Sequence, residues 1–178
     1  MSLSAFDHMI GQIEGGPQKL PPLDQWNPPL SGVMDMRIDT DGRWFHEGQE
    51  IHREQLVKAF ASILRYEPDN GFVLLTPVEK WIIEVDQCPF IAIDVEVEVD
   101  SAEKQTVWLR TNVDEVFKID AEHPFYMKHL PSGDIPVVRL RPGIEVKLNR
   151  ACYYFLADLA VEGDGNYHFL SDGESFAF

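Results

Sequence analysis

From Ile91 to Asp100 the chain reads IAIDVEVEVD, with apolar and acidic residues alternating without a break. That period of two predicts a strand carrying Ile93, Val95, Val97 and Val99 on one face and Asp94, Glu96, Glu98 and Asp100 on the other, half in water. A turn over 101–104 leads to residues 105–112 as its hairpin partner. Upstream, VMDMRIDTDGRWFHEG alternates well enough for a second hairpin, turned at Asp39-Thr40-Asp41-Gly42, where glycine supplies a positive φ. The period then changes. Leu56, Val57, Phe60, Ile63 and Leu64 recur at helical spacing and predict a helix over 52–66, ended by Pro68-Asp69-Asn70-Gly71. A second helix is expected over 149–161, with short strands at 72–75, 81–85, 115–119, 136–141 and 144–147 and a closing hairpin from 167–170 and 175–178. At the N-terminus Phe6, Met9, Ile10 and Ile13 predict a short amphipathic helix, and the Gly- and Pro-rich stretch 15–29 an extended arm anchored by Trp26.

Two of these regions match each other. Residues 45–83 slide onto 140–178 at a constant offset of 95, without a gap, and eight of 39 positions are identical. The identities are Gly48/Gly143, Glu50/Glu145, Phe60/Phe155, Leu64/Leu159, Glu67/Glu162, Asp69/Asp164, Leu75/Leu170 and Glu79/Glu174. They mark the same turn before the helix, the same stripe on it and the same turn after it. The expected fold is therefore α+β: two duplicated units of antiparallel strands, each packing one helix, behind an extended N-terminal arm. Its segments are the helix and arm over 1–30, an N-terminal α+β domain over 31–88 and a C-terminal one over 89–178. A cleft between such units is the natural place for a ligand.

Composition narrows the function. The 178 residues hold 30 acids against 15 bases, a formal net charge of −15. Long-range repulsion from phosphates then speaks against polymeric nucleic acid and anionic membrane surfaces as partners, while a local basic pocket can still hold one small anion. No apolar run approaches the roughly 20 residues of a membrane span, and the N-terminal residues show no basic region followed by an apolar core, so no signal peptide is expected. Two cysteines, Cys88 and Cys152, fit a reducing compartment, and the cytoplasm is the expected location.

No motif for a nucleophile, a P-loop or a dinucleotide fold is present, so no catalytic residue is assigned. His46 and His52 flank a turn and His123 and His129 lie in a loop, without the paired spacing of a zinc site; no metal and no cofactor are expected. The scarce bases are more telling. Arg139 and Arg141 in VVRLR are expected to share a face, as are Trp108 and Arg110 in TVWLRTN. An aromatic plane beside guanidinium forks suits a nucleotide-like ligand, with Asn112 reading an edge of the base. The same arginines are also placed to pair with surface acids such as Glu98 or Glu145. Thr76 and Lys80, in TPVEKW, form a second candidate for ligand contact, although a structural turn with a Glu–Lys pair is the stronger reading of that segment.

The segments WNPPLSGVMDMRIDTDGRW, LLTPVEKW, LRTNVDEVF and NRACYYFLADLA resemble the bacterial family called domain of unknown function 1285, over about Trp26 to Val161. The resemblance implies a two-domain core with an internal duplication and a C-terminal half akin to pleckstrin-homology folds. It implies no particular enzymatic activity, and it suggests signalling through a nucleotide-like ligand at the domain interface. The leading expectation is a non-enzymatic binding or sensor protein for a small anionic ligand; the alternative is an adaptor that binds a protein partner and no small molecule.

Overall fold

The computed structural model describes residues 20–178, so the helix expected over 4–13 and the first part of the arm lie outside the described residues. The chain divides between Gln87 and Cys88 into two compact units.

In the N-terminal unit the arm makes one 3₁₀ turn, Leu23–Gln25, before strand β1 (Gly32–Ile38). Met34, Met36 and Ile38 alternate into the core. Asp39 then closes the turn: its Oδ1 accepts from the backbone N–H groups of Asp41 and Arg43, both at 2.9 Å, and Gly42 takes φ 77°. Next come β2 (Trp44–His46), β3 (Gln49–Glu50), α1 (Glu54–Ser62), β4 (Leu64–Glu67), β5 (Gly71–Leu75) and β6 (Lys80–Val85). The sheet order is β3-β2-β1-β6-β5-β4. Every pair is antiparallel except β1 and β6, which run parallel.

Phe60 of α1 stacks on Trp44, ring centroids 6.2 Å apart, with both rings out of water. Burying side chains of this size contributes about 1.5–3 kcal/mol each. The helix stops at Ser62 instead of running to 66. Leu64–Glu67 leave it as a strand because Leu64 finds Leu74 opposite in a ladder turned through Gly71, φ 72°. Pairing and burial outweigh helical continuation.

The C-terminal unit runs β7 (Phe90–Val99), β8 (Gln105–Thr111), β9 (Val116–Lys118), β10 (Phe125–Lys128), β11 (Ile135–Arg141), β12 (Ile144–Leu148), α2 (Arg150–Leu159), β13 (Val161–Gly163), β14 (Asn166–Ser171) and β15 (Glu174–Ala177). One sheet has the order β10-β11-β12-β7-β8-β9, with β12 parallel to β7; β13-β14-β15 form a second. The repeat is now visible element by element. At an offset of 95, β2-β3-α1-β4-β5-β6 superpose in sequence on β11-β12-α2-β13-β14-β15. The hairpins of β7, β8 and β9 are extra to the second copy. The chain is thus two duplicated sheet-plus-helix units.

The Asn149 side chain caps α2 by accepting from the Cys152 N–H at 2.8 Å. The helix lies against β7 and β12, burying Cys152 and Leu156. Beneath it Phe169 contacts Phe125 at 5.3 Å and Phe178 at 5.6 Å. Strand β7 does not keep its expected alternation. A bulge between Ala92 and Asp94 makes Ile93 the extra residue. Ala92 before it is buried, Ile93 is exposed, and Val95 and Val97 face buried Leu109 and Val107.

Candidate functional site

Each residue expected to meet a ligand has a defined place. In the N-terminal unit Thr76 builds the turn between β5 and β6. Its Oγ1 accepts from the Glu79 N–H at 3.0 Å, and its own N–H donates to the Glu79 carbonyl at 2.9 Å. Lys80 is buried, with Nζ 3.0 Å from Glu67 Oε1. Glu67 also accepts from Arg65 and, at 2.7 Å, from Asn70 Nδ2. Burial opposes its ionisation, but the hydrogen bonds from Arg65, Asn70 and Lys80 outweigh that, and its pKa falls to about 2. Arg65 Nη1 then donates to the carbonyls of Leu23 at 3.0 Å and Trp26 at 2.9 Å. The cluster pins the arm to the sheet through the backbone carbonyls of Leu23 and Trp26.

In the C-terminal unit Trp108 donates from Nε1 to Glu98 at 3.1 Å. Arg110 is exposed and divides its guanidinium between Asp94 at 3.1 Å and Asp114 at 3.3 Å. Asn112 exchanges two bonds with Ile91: its N–H donates to the carbonyl at 2.8 Å and its Oδ1 accepts from the N–H at 3.0 Å. It holds β7 to the end of β8 beside the bulge.

Arg139 and Arg141 do not share a face. Arg139 stands opposite Glu145 and Arg141 opposite Ile144, with a bulge between them, so the two side chains leave β11 on opposite sides. Arg139 is exposed. Arg141 lies over the Phe90 ring, 5.9 Å from its centroid, and gives Nη1 to Glu115 at 2.6 Å. Its Nε and Nη2 are buried and meet no acceptor among the described residues.

A second polar cluster surrounds Glu145, which accepts from Tyr126 Oη at 2.5 Å and from Lys128. Burial and then the Glu145 charge push the Cys88 thiol up to about 11; burial and then Asp94 do the same to Cys152. Both thiols are free, buried and protonated at neutral pH, which makes them poor nucleophiles. Among the described residues no group of His, Cys, Asp and Glu side chains could hold a metal ion, and no helix is long and apolar enough to cross a membrane.

What sequence reasoning missed is an apolar surface on the C-terminal unit. Tyr154 is 57% exposed, Phe155 41%, Val161 55% and Leu170 51%. Phe155 lies one helical turn before Leu159, and Leu159, Val161 and Leu170 line one hollow with Gln105. Val99, opposite Gln105, extends the surface along β7. Phe155 and Leu170 are the repeat mates of Phe60 and Leu75, both fully buried in the other unit. A signal was present: RACYYFLADL carries only Arg150 and Asp158 as charges, so α2 is apolar on almost every side, unlike a helix with a solvated face.

The N-terminal domain of the DUF1285 family, a domain of unknown function, matches residues 21–88, and the C-terminal domain of that family matches residues 89–178. The chain belongs to this family. The crystal structure at 2.50 Å of a DUF1285 family protein from Silicibacter pomeroyi DSS-3 is similar over 100% of this chain and 94% of its own, with 36% identity and a TM-score of 0.86. A DUF1285 family protein from Shewanella baltica OS155, at 1.40 Å, is similar over 71% of this chain and 92% of its own, with 28% identity and a TM-score of 0.56. No curated protein matches the chain.

Proposed function

We propose that this DUF1285 protein is a non-catalytic interaction module whose C-terminal unit docks a protein partner. One observation carries the reading: Phe155 and Leu170 stay exposed beside Tyr154 and Val161, although the same repeat positions are core in the N-terminal unit. A contiguous apolar surface of this kind marks interaction sites in soluble proteins. Two further features support it. Lys80, Arg110 and Arg141 already have carboxylate partners, and both thiols are raised to about 11. We assign the module to the cytoplasm on the strength of its two free thiols. The test is cross-linking in the cells that make the protein, comparing wild type with a Tyr154→Ser/Phe155→Ser variant. One stoichiometric protein recovered with wild type and at least tenfold depleted with the variant is expected; equal recovery rejects the docking surface.

A second reading, a sensor of a small anionic, nucleotide-like ligand with a signalling role, draws on Arg141. Its Nε–Nη2 edge is the fork that grips a carboxylate or phosphate, and no described acceptor occupies it. A thermal-shift screen of nucleotides and phosphorylated metabolites tests this, since a ligand at about 100 times its Kd adds about 2.7 kcal/mol. A shift that survives in Arg141→Gln removes Arg141 from the reading.

A further inference from the structure

We infer that the partner seated on the α2 face is a basic amphipathic segment, with an apolar side chain in the hollow beside Leu159 and lysines or arginines on the surrounding carboxylates. This rests on the interaction reading above and names the chemistry of the partner.

The hollow has a volume of about 340 Å³ and is lined by apolar Leu159, Val161 and Leu170 together with Glu103, Lys104, Gln105 and Gly173. That is the low end of the range for small-molecule pockets, and its apolar wall continues outward onto Phe155. The geometry suits an anchor side chain from a larger partner. Phe155, Leu159 and the strand residues Val161 and Leu170 present the apolar positions that the face of an amphipathic helix covers.

Charge selects the sign of that partner. Asp158, Glu162 and Glu174 are exposed around the surface, and Glu103 stands at the wall of the hollow. None of the four has an ion pair among the described residues. The one base in the wall, Lys104, is held by Asp172 at 2.6 Å. From residue 150 to 178 the chain carries five carboxylates and a single arginine. A second copy of this chain would bring the same rim and a further net charge of −15, so self-association is opposed at long range. A basic segment is attracted there and pairs with the rim as its apolar side docks.

The experiment uses the full chain and three labelled 14-residue peptides, read by fluorescence anisotropy. One has leucines on one helical face and lysines on the other, one replaces the lysines with glutamates, and one replaces the leucines with serines. The leucine–lysine peptide is expected to bind at least tenfold more tightly than either control and to weaken as salt is raised. Phe155→Ser/Leu170→Ser should weaken it about tenfold, and Asp158→Asn/Glu162→Gln severalfold; both alter exposed side chains, so circular dichroism should be unchanged. Equal binding of the serine–lysine peptide would overturn the inference, as undirected attraction to an acidic protein. Equal binding of the leucine–glutamate peptide would overturn the charge assignment. A dimer by sedimentation that the Phe155→Ser/Leu170→Ser variant abolishes would give the face to a second copy. If no peptide binds while cross-linking still recovers a protein that Tyr154→Ser/Phe155→Ser loses, the basic chemistry is wrong and the interaction reading stands; if both fail, both fall.

Discussion

Phe60 and Phe155 are the same residue at the same point of an internal repeat, and they lead different lives. Phe60 is fully buried against Trp44; Phe155 is 41% exposed. The difference follows from what each helix packs on. At the position matching Trp44 the second copy has Arg139, which is exposed and offers no ring. The second copy also has β7, which α2 covers with Cys152 and Leu156, the residues matching Val57 and Ala61. Ala61 and its mate Leu156 are buried in both helices, but beside them the first helix buries Phe60 and the second buries Cys152, the mate of half-buried Val57. Phe155 is left facing out. A duplicated sequence therefore repeats its elements faithfully while the added strands reassign which side of them is core.

The largest expected effect tests this directly. Phe60→Ala should destabilise the N-terminal unit by about 3–5 kcal/mol, as truncation of a buried aromatic does. Phe155→Ala should cost clearly less, about 1–2 kcal/mol, because 41% of its surface is already in water. Urea unfolding resolves the two, because Trp26, Trp44 and Trp81 report the N-terminal unit and Trp108 the C-terminal one. Comparable losses at both positions would mean that Phe155 is part of a core, and the docking surface would disappear with it.

Glu67 and Glu162 extend the comparison to charge. Glu67 is held by Arg65, Asn70 and Lys80, whereas Glu162 is exposed on edge strand β13. The folded pKa of Glu67 lies at about 2, below its ordinary 4.5. Its stabilisation is therefore present above pH 4.5 and lost as pH falls from there toward 2. The span corresponds to roughly 3 kcal/mol. Glu67→Gln should remove that part of the acid sensitivity and lower stability at pH 7, since Lys80 would be buried without its counter-charge. Glu162→Gln should do neither. An acid profile that Glu67→Gln leaves unaltered would show that the arm is not fastened through this cluster.

How much of this was legible follows from the kind of signal each feature leaves. The duplication, the helices and most hairpins were readable because period and turn residues are local: Asp39–Gly42 announces its turn. The helical reading over 52–66 takes in Leu64, Arg65 and Tyr66 of strand β4 because no breaker stands before Pro68, and only the partner strand across Gly71 decides their state. The parallel pairs β1–β6 and β7–β12 leave no local mark, since they join strands far apart in sequence. Ile93 and Arg141 were assigned to faces by counting in twos, and a bulge breaks that count wherever register demands it. Among the expected ligand residues, Asn112 and Thr76 are polar for structural reasons: each satisfies backbone groups that a strand or turn would leave unpaired. The apolar face was hidden for the opposite reason. A residue typed as core by a repeat is indistinguishable in sequence from one that the fold leaves outside.

The smallest expected effect concerns a point where the copies remain alike. Gly48 and Gly143 sit at φ 77° and 72° in the turn before each helix, a region where a Cβ costs about 1 kcal/mol or somewhat more. Gly48→Ala and Gly143→Ala should therefore each lose about that much, equally, in whichever unit carries the change. The residues before them differ, and this explains the bulge. Glu47 adopts φ 50°, so Glu47-Gly48 has two positive φ values in a row, as the tight turn matching the twist of paired strands requires. Pro142 cannot adopt a positive φ, because its ring holds φ near −65°. The second hairpin reaches its helix by another route, with the register shift between Arg139 and Arg141 beside the turn. If Gly143→Ala proved neutral while Gly48→Ala did not, the glycine identity would be inherited and no longer needed; equal costs keep the turn as the one place where both copies still obey the same constraint.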